Sequence, residues 1–225
     1  MDIDMKLPKF AIFDMDGLLF DTERLFMTKN GEVMETYGYH QTEANYIATM
    51  GTAGETLRRI VCGFYGDDYP MEEISHKARE LEIAHLREHG PSIKPGIPEL
   101  LDWLAARKIP CCVATSTMAP YPEEFLRLGK IRDYFSFVLT GDDAARSKPA
   151  PDIFLKCCTR MGIAPEDAIV FEDSENGVRA AHNGHIPVIC IPDMKQPAPE
   201  VAALAEAVVT DAFAAIRLLE EAAQA

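Results

Sequence analysis

The sequence predicts an α/β protein with an open, parallel, Rossmann-like sheet, helices on both faces, and a small all-helical cap domain inserted after the first strand. Three observations lead to this fold class. Five short apolar runs are typical of buried strands. Helical patterns separate most of these runs, and the first two runs are far apart. Strands that alternate with helices form parallel β-α-β units. The gap of about a hundred residues is too long for one crossover, so it predicts an insertion.

The five predicted strands are continuous apolar runs. They cover residues 10–13, 110–114, 137–139, 168–171 and 187–191. Short runs without polar alternation are typical of strands that are buried on both faces of a parallel sheet. From the second strand onward the runs begin about 20 to 30 residues apart, which is the spacing that a β-α repeat requires.

Amphipathic patterns predict five helices in the sheet domain. Leu100, Leu101 and Leu104 recur at helical spacing, and Pro151 stands where a first-turn proline is favourable. The predicted helices cover residues 97–107, 122–128, 151–161, 174–183 and 211–223, and residues 195–200 are predicted to form a loop. Helices therefore separate the strands in the order that a doubly wound sheet needs.

The insertion covers residues 25–92 and is predicted to be the helical cap, which leaves residues 1–24 and 93–225 as the α/β core. It is rich in helix formers, with one amphipathic stripe over residues 57–64 and another formed by Ile74, Ala78 and Leu81. Open α/β sheets bind ligands at the carboxyl ends of their strands. An insertion after the first strand is expected to sit over that edge.

The composition limits the classes of partner. A net charge of −14 without a basic stripe counts against nucleic acid, but a local metal and one lysine can still bind a small phosphorylated substrate. No apolar run reaches the roughly 18 to 20 residues of a membrane span, and the chain does not begin with a signal-peptide pattern. We expect a cytoplasmic monomer of 225 residues that has no membrane partner.

The spacing of the six cysteines does not indicate a zinc or redox centre. None of them forms a C-x-x-C pair. Several lie in strand-like runs, where a free cysteine usually packs as a small hydrophobic residue. We expect reduced, structural thiols.

Polar residues stand directly after the first two predicted strands. Asp14, Asp16 and Gly17 follow the first strand, and Thr115 and Ser116 follow the second. Two carboxylates this close repel each other unless a cation or a shared proton is present. An Asp-Gly turn and a helix N-cap are the ordinary structural explanations of these two clusters. Neither cluster decides the function by itself.

The later strands add a cation and two more acids. Lys148 lies in a proline-rich loop that holds its backbone in place, and Glu172 and Asp173 end the fourth strand. Clustering carboxylates, one lysine and hydroxyls at one edge of a sheet costs folding free energy when no ligand binds there. The cluster suits Mg²⁺, which prefers oxygen ligands, together with a phosphoryl group whose charge the lysine offsets.

These positions resemble the four motifs of the haloacid dehalogenase-like hydrolase superfamily. The matching residues, in chain order, are Asp14-Met15-Asp16-Gly17, Thr115, Lys148-Pro149 and Glu172-Asp173. Residues 14–23, 148–154 and 171–177 are similar to the helical-capped subgroup of β-phosphoglucomutases, pseudouridine-5′-phosphatase and sugar-phosphate phosphatases. The resemblance covers residues 10–23 and 94–193 of the core, whereas the cap matches only in position, size and helical character.

The resemblance implies a Mg²⁺-dependent phosphatase that hydrolyses a small phosphomonoester, such as a sugar or nucleoside phosphate, through an aspartyl phosphate. Asp14 would be the nucleophile and Asp16 the general acid and base. Thr115 would hydrogen-bond the phosphoryl group and Lys148 would neutralise its charge, while Gly17 and Ser116 are also implied to bind the substrate. Those implied to bind the metal are Asp14, the Asp16 carbonyl, Asp173 and, directly or through water, Glu172.

A phosphosugar mutase of the β-phosphoglucomutase type is the main alternative within this resemblance. Such mutases usually carry a histidine where this chain has Phe26, and an arginine just after a cap glycine, where residues 51–55 have none. Arg58 or Arg59 could substitute from the next turn. The loop that contains Gly51 and Glu55 is the candidate for substrate selection, with a flexible turn between helices as the alternative.

Three further alternatives fit the residues less well. The metal-independent dehalogenases lack the second aspartate, which is Asp16 here. Phosphonate hydrolases need a cap lysine that forms a Schiff base, and nothing around Lys29 or Lys77 suggests one. A non-catalytic phosphate-sensing protein on the same fold would have no use for both Asp14 and Asp16.

Overall fold

The computed structural model describes residues 6–52 and 54–224, so residues 1–5, 53 and 225 of the predicted domains lie outside the described residues. The chain divides into two compact units. The core unit contains the chain up to Asp21 and from Ser92 onward, and the helical unit contains Thr22–Pro91. The cap role of residues 25–92 stays a prediction.

Within the described residues the core unit contains one parallel sheet of six strands. The strands are β1 (Phe10–Phe13), β2 (Cys111–Ala114), β3 (Phe135–Leu139), β4 (Ala168–Glu172), β5 (Val188–Cys190) and β6 (Ala207–Val208). Their order is β3-β2-β1-β4-β5-β6, which confirms the predicted fold class. The edge strand β6 was not predicted, because two partly exposed residues are too short for a recognisable apolar run.

The direction in which the chain adds strands to the sheet reverses beside β1. After β1 it builds β2 and β3 on one side, and it then returns to place β4, β5 and β6 on the other side. Phe13 at the end of β1 is in register with Val113 of β2 and with Phe171 of β4. Crevices at such a switch point are the usual ligand sites of doubly wound sheets. The residues that follow β1, β2 and β4 therefore begin at one edge of the sheet.

The helical unit consists of α1 (Thr22–Thr36), α2 (Glu43–Thr49), α3 (Gly54–Tyr65) and α4 (Met71–His89). The first and last of these helices pack against each other. Their contact buries Val33 and Met34 of α1 with Ile74 and Ala78 of α4. Tyrosine rings surround this small core. An apolar face on α1 and one on α4 are thus covered within the unit itself.

The buried face of α4 differs from the predicted stripe at its end. Leu81 is 43% exposed, because the buried positions recur at every fourth residue. They are Ile74, Ala78, Glu82 and Leu86. The Glu82 carboxylate is compensated there, since Arg79 Nη1 donates a hydrogen bond to Glu82 Oε2 at 2.5 Å. The Arg79 guanidinium also lies over the Phe26 ring of α1, 4.5 Å from its centroid.

Six helices complete the core unit in its described part. They are α5 (Ile97–Ala106), α6 (Tyr121–Leu128), α7 (Asp152–Met161), α8 (Glu175–Asn183), α9 (Pro199–Ala202) and α10 (Ala212–Ala222). All five predicted helices are present, and α9 begins at the end of the predicted loop. Among the helices described, none combines the length and the apolar character needed to cross a membrane.

Aromatic packing holds β1 in the centre of the sheet. The Phe13 ring stacks on Phe171 of β4 at 4.7 Å between centroids, and its edge meets Phe135 of β3 at 5.8 Å. Phe13 is fully buried. Such aromatic contacts add to the apolar area that the strand buries. They fix the strand end from which the next residue, Asp14, begins.

The cysteine side chains are free thiols, and all except the partly exposed Cys62 are buried. Burial raises the pKa of the Cys111 thiol to about 12, and burial followed by the nearby Glu172 charge does the same for Cys190. Thiols held protonated in this way are poor nucleophiles. Their place in the core agrees with a packing role.

Truncating Phe13 tests how much the sheet depends on this packing. We expect Phe13→Ala to lower the free energy of unfolding by about 3–5 kcal/mol, because it removes buried contacts and leaves a cavity. Phe64→Ala is the matched control, since Phe64 is 44% exposed. That control should change the value by about 0.5 kcal/mol or less. Urea denaturation measures both variants, and equal losses would contradict the central role of Phe13.

Candidate active site

Backbone hydrogen bonds of the sheet fix the first residue of each functional segment. The Asp14 N–H donates to Phe171 O at 3.0 Å, and the Thr115 N–H donates to Leu139 O at 3.1 Å. The Glu172 carbonyl accepts from Ile191 N at 2.7 Å. The strand ladder thus continues through the residues whose side chains form the site. Their side chains begin from a rigid edge rather than from free loops.

The chain turns sharply after the two aspartates. Gly17 has φ 78°, in the left-handed region that glycine enters without a steric penalty. Its N–H donates to Phe20 O at 2.9 Å, and Asp16 forms a bridge with Phe20. This turn keeps the backbone of Asp16 close to the end of β1. Gly17 therefore has a clear structural function, whether or not it also contacts substrate.

Lys148 connects three strand ends at the centre of the site. Its Nζ donates to Asp14 Oδ1 at 2.5 Å, to Glu172 Oε1 at 2.7 Å, and to Ala114 O at 3.2 Å. The Lys148 side chain is only 6% exposed, and its ammonium lies 4.7 Å from the centroid of the Phe154 ring. Hydrogen bonds to ionised partners in such a dry setting are stronger than at a surface. The structure thus brings together residues that are far apart in the sequence.

Glu172 is hydrogen-bonded through both carboxylate oxygens. Oε1 accepts from Lys148, while Oε2 accepts from the Asp173 N–H at 3.0 Å and from the Ser174 N–H and hydroxyl at 2.9 Å each. Gly177 in the first turn of α8 makes this placement possible, because a Cβ there would lie 1.8 Å from Glu172 Cδ. The carboxylate is therefore built into the start of α8. Neither Ser174 nor Gly177 was among the predicted site residues.

The charges of the cluster perturb its titration. Burial raises the pKa of Asp14 to about 7, the Lys148 charge opposes this rise, and the negative charges of Glu172 and Asp16 add to it. For Lys148, burial acts to lower the pKa, but the Asp14 and Glu172 charges outweigh it and hold the pKa above its usual value. The lysine therefore stays charged. Around it the carboxylates leave a surplus of negative charge.

Asp16 is held by hydroxyl groups from the turn after β2. Thr117 Oγ1 donates to Asp16 Oδ2 at 2.6 Å, and Thr115 Oγ1 lies 3.4 Å from the same oxygen. Thr115 and Ser116 of this turn were among the site residues predicted from the sequence, but Thr117, the next residue, was not. Only the turn geometry decides which hydroxyl reaches the aspartate. Ser116, which was predicted to contact substrate, is exposed in this turn.

The carboxylates suit a magnesium ion that takes its remaining ligands from water and from a phosphorylated substrate. Within the described ranges, no group of three or more His, Cys, Asp or Glu side chains could hold a metal by itself. Mg²⁺ typically takes only one or two carboxylates and completes its shell with water and phosphate oxygens. Asp14 and Asp173 follow the paired strands β1 and β4, and both are buried. Together with the surplus of negative charge, they suit such a sparse ligand set.

The remaining predicted residues belong to the helical unit. Gly51 lies in the turn between α2 and α3 with φ 75°, and Glu55 is exposed in the first turn of α3. Ala53 in the same predicted loop lies outside the described residues. The role of this loop in substrate selection stays a prediction.

Comparison with known proteins shows what the chain is similar to. A family model of haloacid dehalogenase-like hydrolases matches residues 11–191. A Drosophila melanogaster protein named "probable pseudouridine-5′-phosphatase" is 35% identical over 191 residues, which are 81% of this chain and 81% of the relative. A phosphorylated carbohydrates phosphatase from Thermotoga maritima is 33% identical over 176 residues, covering 78% of this chain and 81% of the relative.

A solved structure from Thermotoga maritima shares the fold. It is provisionally described as a β-phosphoglucomutase, and it superposes with a TM-score of 0.75 at 29% sequence identity. The match covers 93% of this chain and 98% of the other. Proteins named as phosphatases and one provisionally described as a mutase thus stand among the similar proteins, in agreement with the resemblance of the sequence motifs.

Replacing Gly177 tests the close approach of Glu172 to α8. We expect Gly177→Ala to lower the free energy of unfolding by about 1–3 kcal/mol, because its Cβ would displace the Glu172 carboxylate. Gly63→Ala is the matched control, since a Cβ at Gly63 of α3 meets nothing within 4 Å. The control should gain about 0.5–1 kcal/mol from its better helix propensity. Urea denaturation of both variants distinguishes them, and a fully stable Gly177→Ala variant would contradict the packing described.

Proposed function

The chain belongs to the haloacid dehalogenase-like hydrolase family, and from that premise we propose that it is a Mg²⁺-dependent phosphatase that hydrolyses a small phosphomonoester through an aspartyl phosphate on Asp14. One observation carries the proposal. Lys148 lies between Asp14 and Glu172 in a buried site at the strand ends, where it can offset the charge of a phosphoryl group. The enzyme is a phosphoric monoester hydrolase. We propose that it acts in the cytoplasm as a monomer.

In the first step, an Asp14 carboxylate oxygen attacks phosphorus and forms the P–O bond of the aspartyl phosphate. The bond between phosphorus and the leaving oxygen breaks, and Asp16 gives its proton to that oxygen. Lys148 and the Thr115 hydroxyl stabilise the negative charge on the transferring group. Dividing hydrolysis into two transfers lowers the barrier of each one.

In the second step, Asp16 accepts a proton from water as the water oxygen attacks the phosphorus of the aspartyl phosphate. The P–O bond to Asp14 breaks, which releases phosphate and restores the free carboxylate. Asp16 regains the proton that it gave away in the first step, so the cycle closes. The half-buried position of Asp16 allows contact with both the leaving group and water.

A bound Mg²⁺ would offset negative charge on the phosphoryl oxygens and on Asp14. We propose that the carboxylates of Asp14 and Asp173 and the backbone carbonyl of Asp16 would hold it. Glu172 was expected among these ligands, but both of its oxygens already accept hydrogen bonds. We therefore propose that Glu172 acts by holding Lys148 and the start of α8.

We propose a sugar or nucleoside monophosphate as the substrate. The names of the two relatives support this class, one being a pseudouridine-5′-phosphatase and the other a phosphorylated carbohydrates phosphatase. The acidic net charge of −14 favours a small ligand over nucleic acid. Gly51 and Glu55 remain our candidates for contacts with the organic part. A phosphate-release screen over glucose 1-phosphate, glucose 6-phosphate, ribose 5-phosphate, uridine 5′-monophosphate and pseudouridine 5′-phosphate tests the class.

A mutase is the second candidate, favoured by the similarity to the provisional β-phosphoglucomutase. In this chain, however, Phe26 occupies the position of the mutase histidine, and its ring packs under the Arg79 guanidinium. A phenyl ring cannot exchange protons with a sugar hydroxyl. Conversion of glucose 1-phosphate to glucose 6-phosphate without phosphate release would establish the mutase instead.

Replacing the nucleophile tests the mechanism. We expect Asp14→Asn to reduce phosphate release from 4-nitrophenyl phosphate by at least about 10³-fold, because the amide cannot form the aspartyl phosphate. Asp133→Asn, at an exposed position of the core unit, is the matched control and should keep normal activity. Activity that survives in Asp14→Asn would refute the mechanism. Tight binding of phosphoesters by the wild-type protein without turnover would instead support a sensor.

Removing divalent cations tests the role of Mg²⁺. We expect the chelator EDTA to reduce phosphate release by at least about 100-fold, since the surplus negative charge would then repel the phosphate group. Added Mg²⁺ should restore the rate, whereas Ca²⁺ should restore it poorly because Ca²⁺ prefers more ligands at longer distances. Full activity in EDTA would contradict the metal requirement. The thermal unfolding midpoint serves as the control for integrity of the protein.

A further inference from the structure

The mechanism above gives no part to Thr117, although its hydroxyl lies 2.6 Å from Asp16 Oδ2. This distance is typical of a strong hydrogen bond from a hydroxyl to a carboxylate. Thr115 Oγ1 lies 3.4 Å from the same oxygen, near the limit of a hydrogen bond. Of the two threonines, Thr117 is therefore the effective donor to Asp16.

The arrangement leaves the Thr115 hydroxyl available for a substrate. A hydroxyl has one proton to donate, so Thr115 cannot serve Asp16 and a phosphoryl oxygen at once. Thr115 Oγ1 also accepts the Thr117 N–H at 3.0 Å, which directs a lone pair of Thr115 toward its own turn. Because Thr117 donates to Asp16, the Thr115 proton can point elsewhere.

The backbone around Thr117 is held on two sides. Its N–H is bound by Thr115, and its carbonyl accepts from the Gly141 N–H at 3.1 Å. Gly141 packs against the turn so closely that a Cβ there would lie 2.4 Å from Ser116 O. The turn is thus fixed between the end of β2 and the residues after β3. A hydroxyl on such a backbone can hold its partner in one orientation.

We propose that Thr117 is the positioning residue that orients the Asp16 carboxylate in both transfers. It holds Oδ2 and so sets the orientation in which the carboxylate exchanges a proton with the leaving oxygen and then with water. A carboxylate on two rotatable bonds otherwise samples orientations from which no proton can be transferred. The inference rests on the proposed function, because it presupposes that Asp16 is the general acid and base.

Two substitutions distinguish the effect of the Thr117 hydroxyl from the effect of the side chain's shape. Thr117→Val keeps the branched shape and removes the donor, whereas Thr117→Ser keeps the donor. With the sugar phosphate that the wild-type protein hydrolyses fastest, we expect Thr117→Val to lower kcat/KM by about 10- to 100-fold, a part of what general acid catalysis contributes. Thr117→Ser should stay within about threefold of the wild type.

The leaving group distinguishes positioning of an acid from a general structural defect. The phenolate of 4-nitrophenyl phosphate leaves without protonation, so its kcat/KM should fall only about threefold in Thr117→Val. The aspartyl phosphate should accumulate in this variant, because Asp16 also activates the water, and rapid acid quench measures its level. Thr159→Val, at an exposed position of α7, is the matched control and should match the wild type in every assay.

Each outcome decides between the two proposals. Equal losses of kcat/KM for both substrates, or equal losses in Thr117→Val and Thr117→Ser, would overturn the positioning role. So would an unchanged Thr117→Val enzyme. These results would leave the proposed phosphatase intact as long as the wild type releases phosphate and Asp14→Asn does not. A wild-type protein that releases no phosphate from any substrate would instead refute the proposed function itself.

Discussion

A buried ammonium group makes the active site possible. Carboxylates that are removed from water without a partner are costly, and the site contains several at the end of an apolar sheet. Lys148 donates to Asp14 and Glu172 and also to the Ala114 carbonyl, so two acids at the ends of two strands share one positive charge, and the ammonium also contacts a third strand. The distances of 2.5 and 2.7 Å show how closely its two carboxylate partners are held. The position of Asp14, the nucleophile that we propose, therefore depends on a residue that lies 134 positions away in the chain.

The same dependence extends from Lys148 to the start of α8. Glu172 holds the lysine with one oxygen and binds Ser174 with the other, and Gly177 leaves room for it. A continuous series of contacts thus runs from helix packing to the side chain of Asp14. Groups that must keep a geometry within fractions of an ångström during phosphoryl transfer benefit from such support. We propose that Glu172 belongs to this support rather than to the metal ligands.

Each of the two units contains a buried carboxylate that is paired with a cation of the same unit. In the helical unit the buried carboxylate of Glu82 is compensated by Arg79, which in turn lies over Phe26. In the core unit Lys148 is paired with Asp14 and Glu172, which belong to the proposed active site. Every group to which we assign bond making or breaking lies in the core unit, on residues fixed by the sheet. Substrate selection can then differ among related enzymes without a change in the reacting groups.

The sequence by itself determined the strand and helix pattern, the insertion, and the set of residues at the strand ends. Apolar runs, helical periodicity and parallel topology are local signals, and the strand ends of a parallel sheet must share one edge. Only the tertiary structure decided which oxygen binds which donor. Thr117, which was not among the predicted site residues, donates to Asp16, both oxygens of Glu172 accept hydrogen bonds, and Glu82 rather than Leu81 is buried. Such choices depend on turn geometry and on contacts between distant segments, which no local pattern encodes.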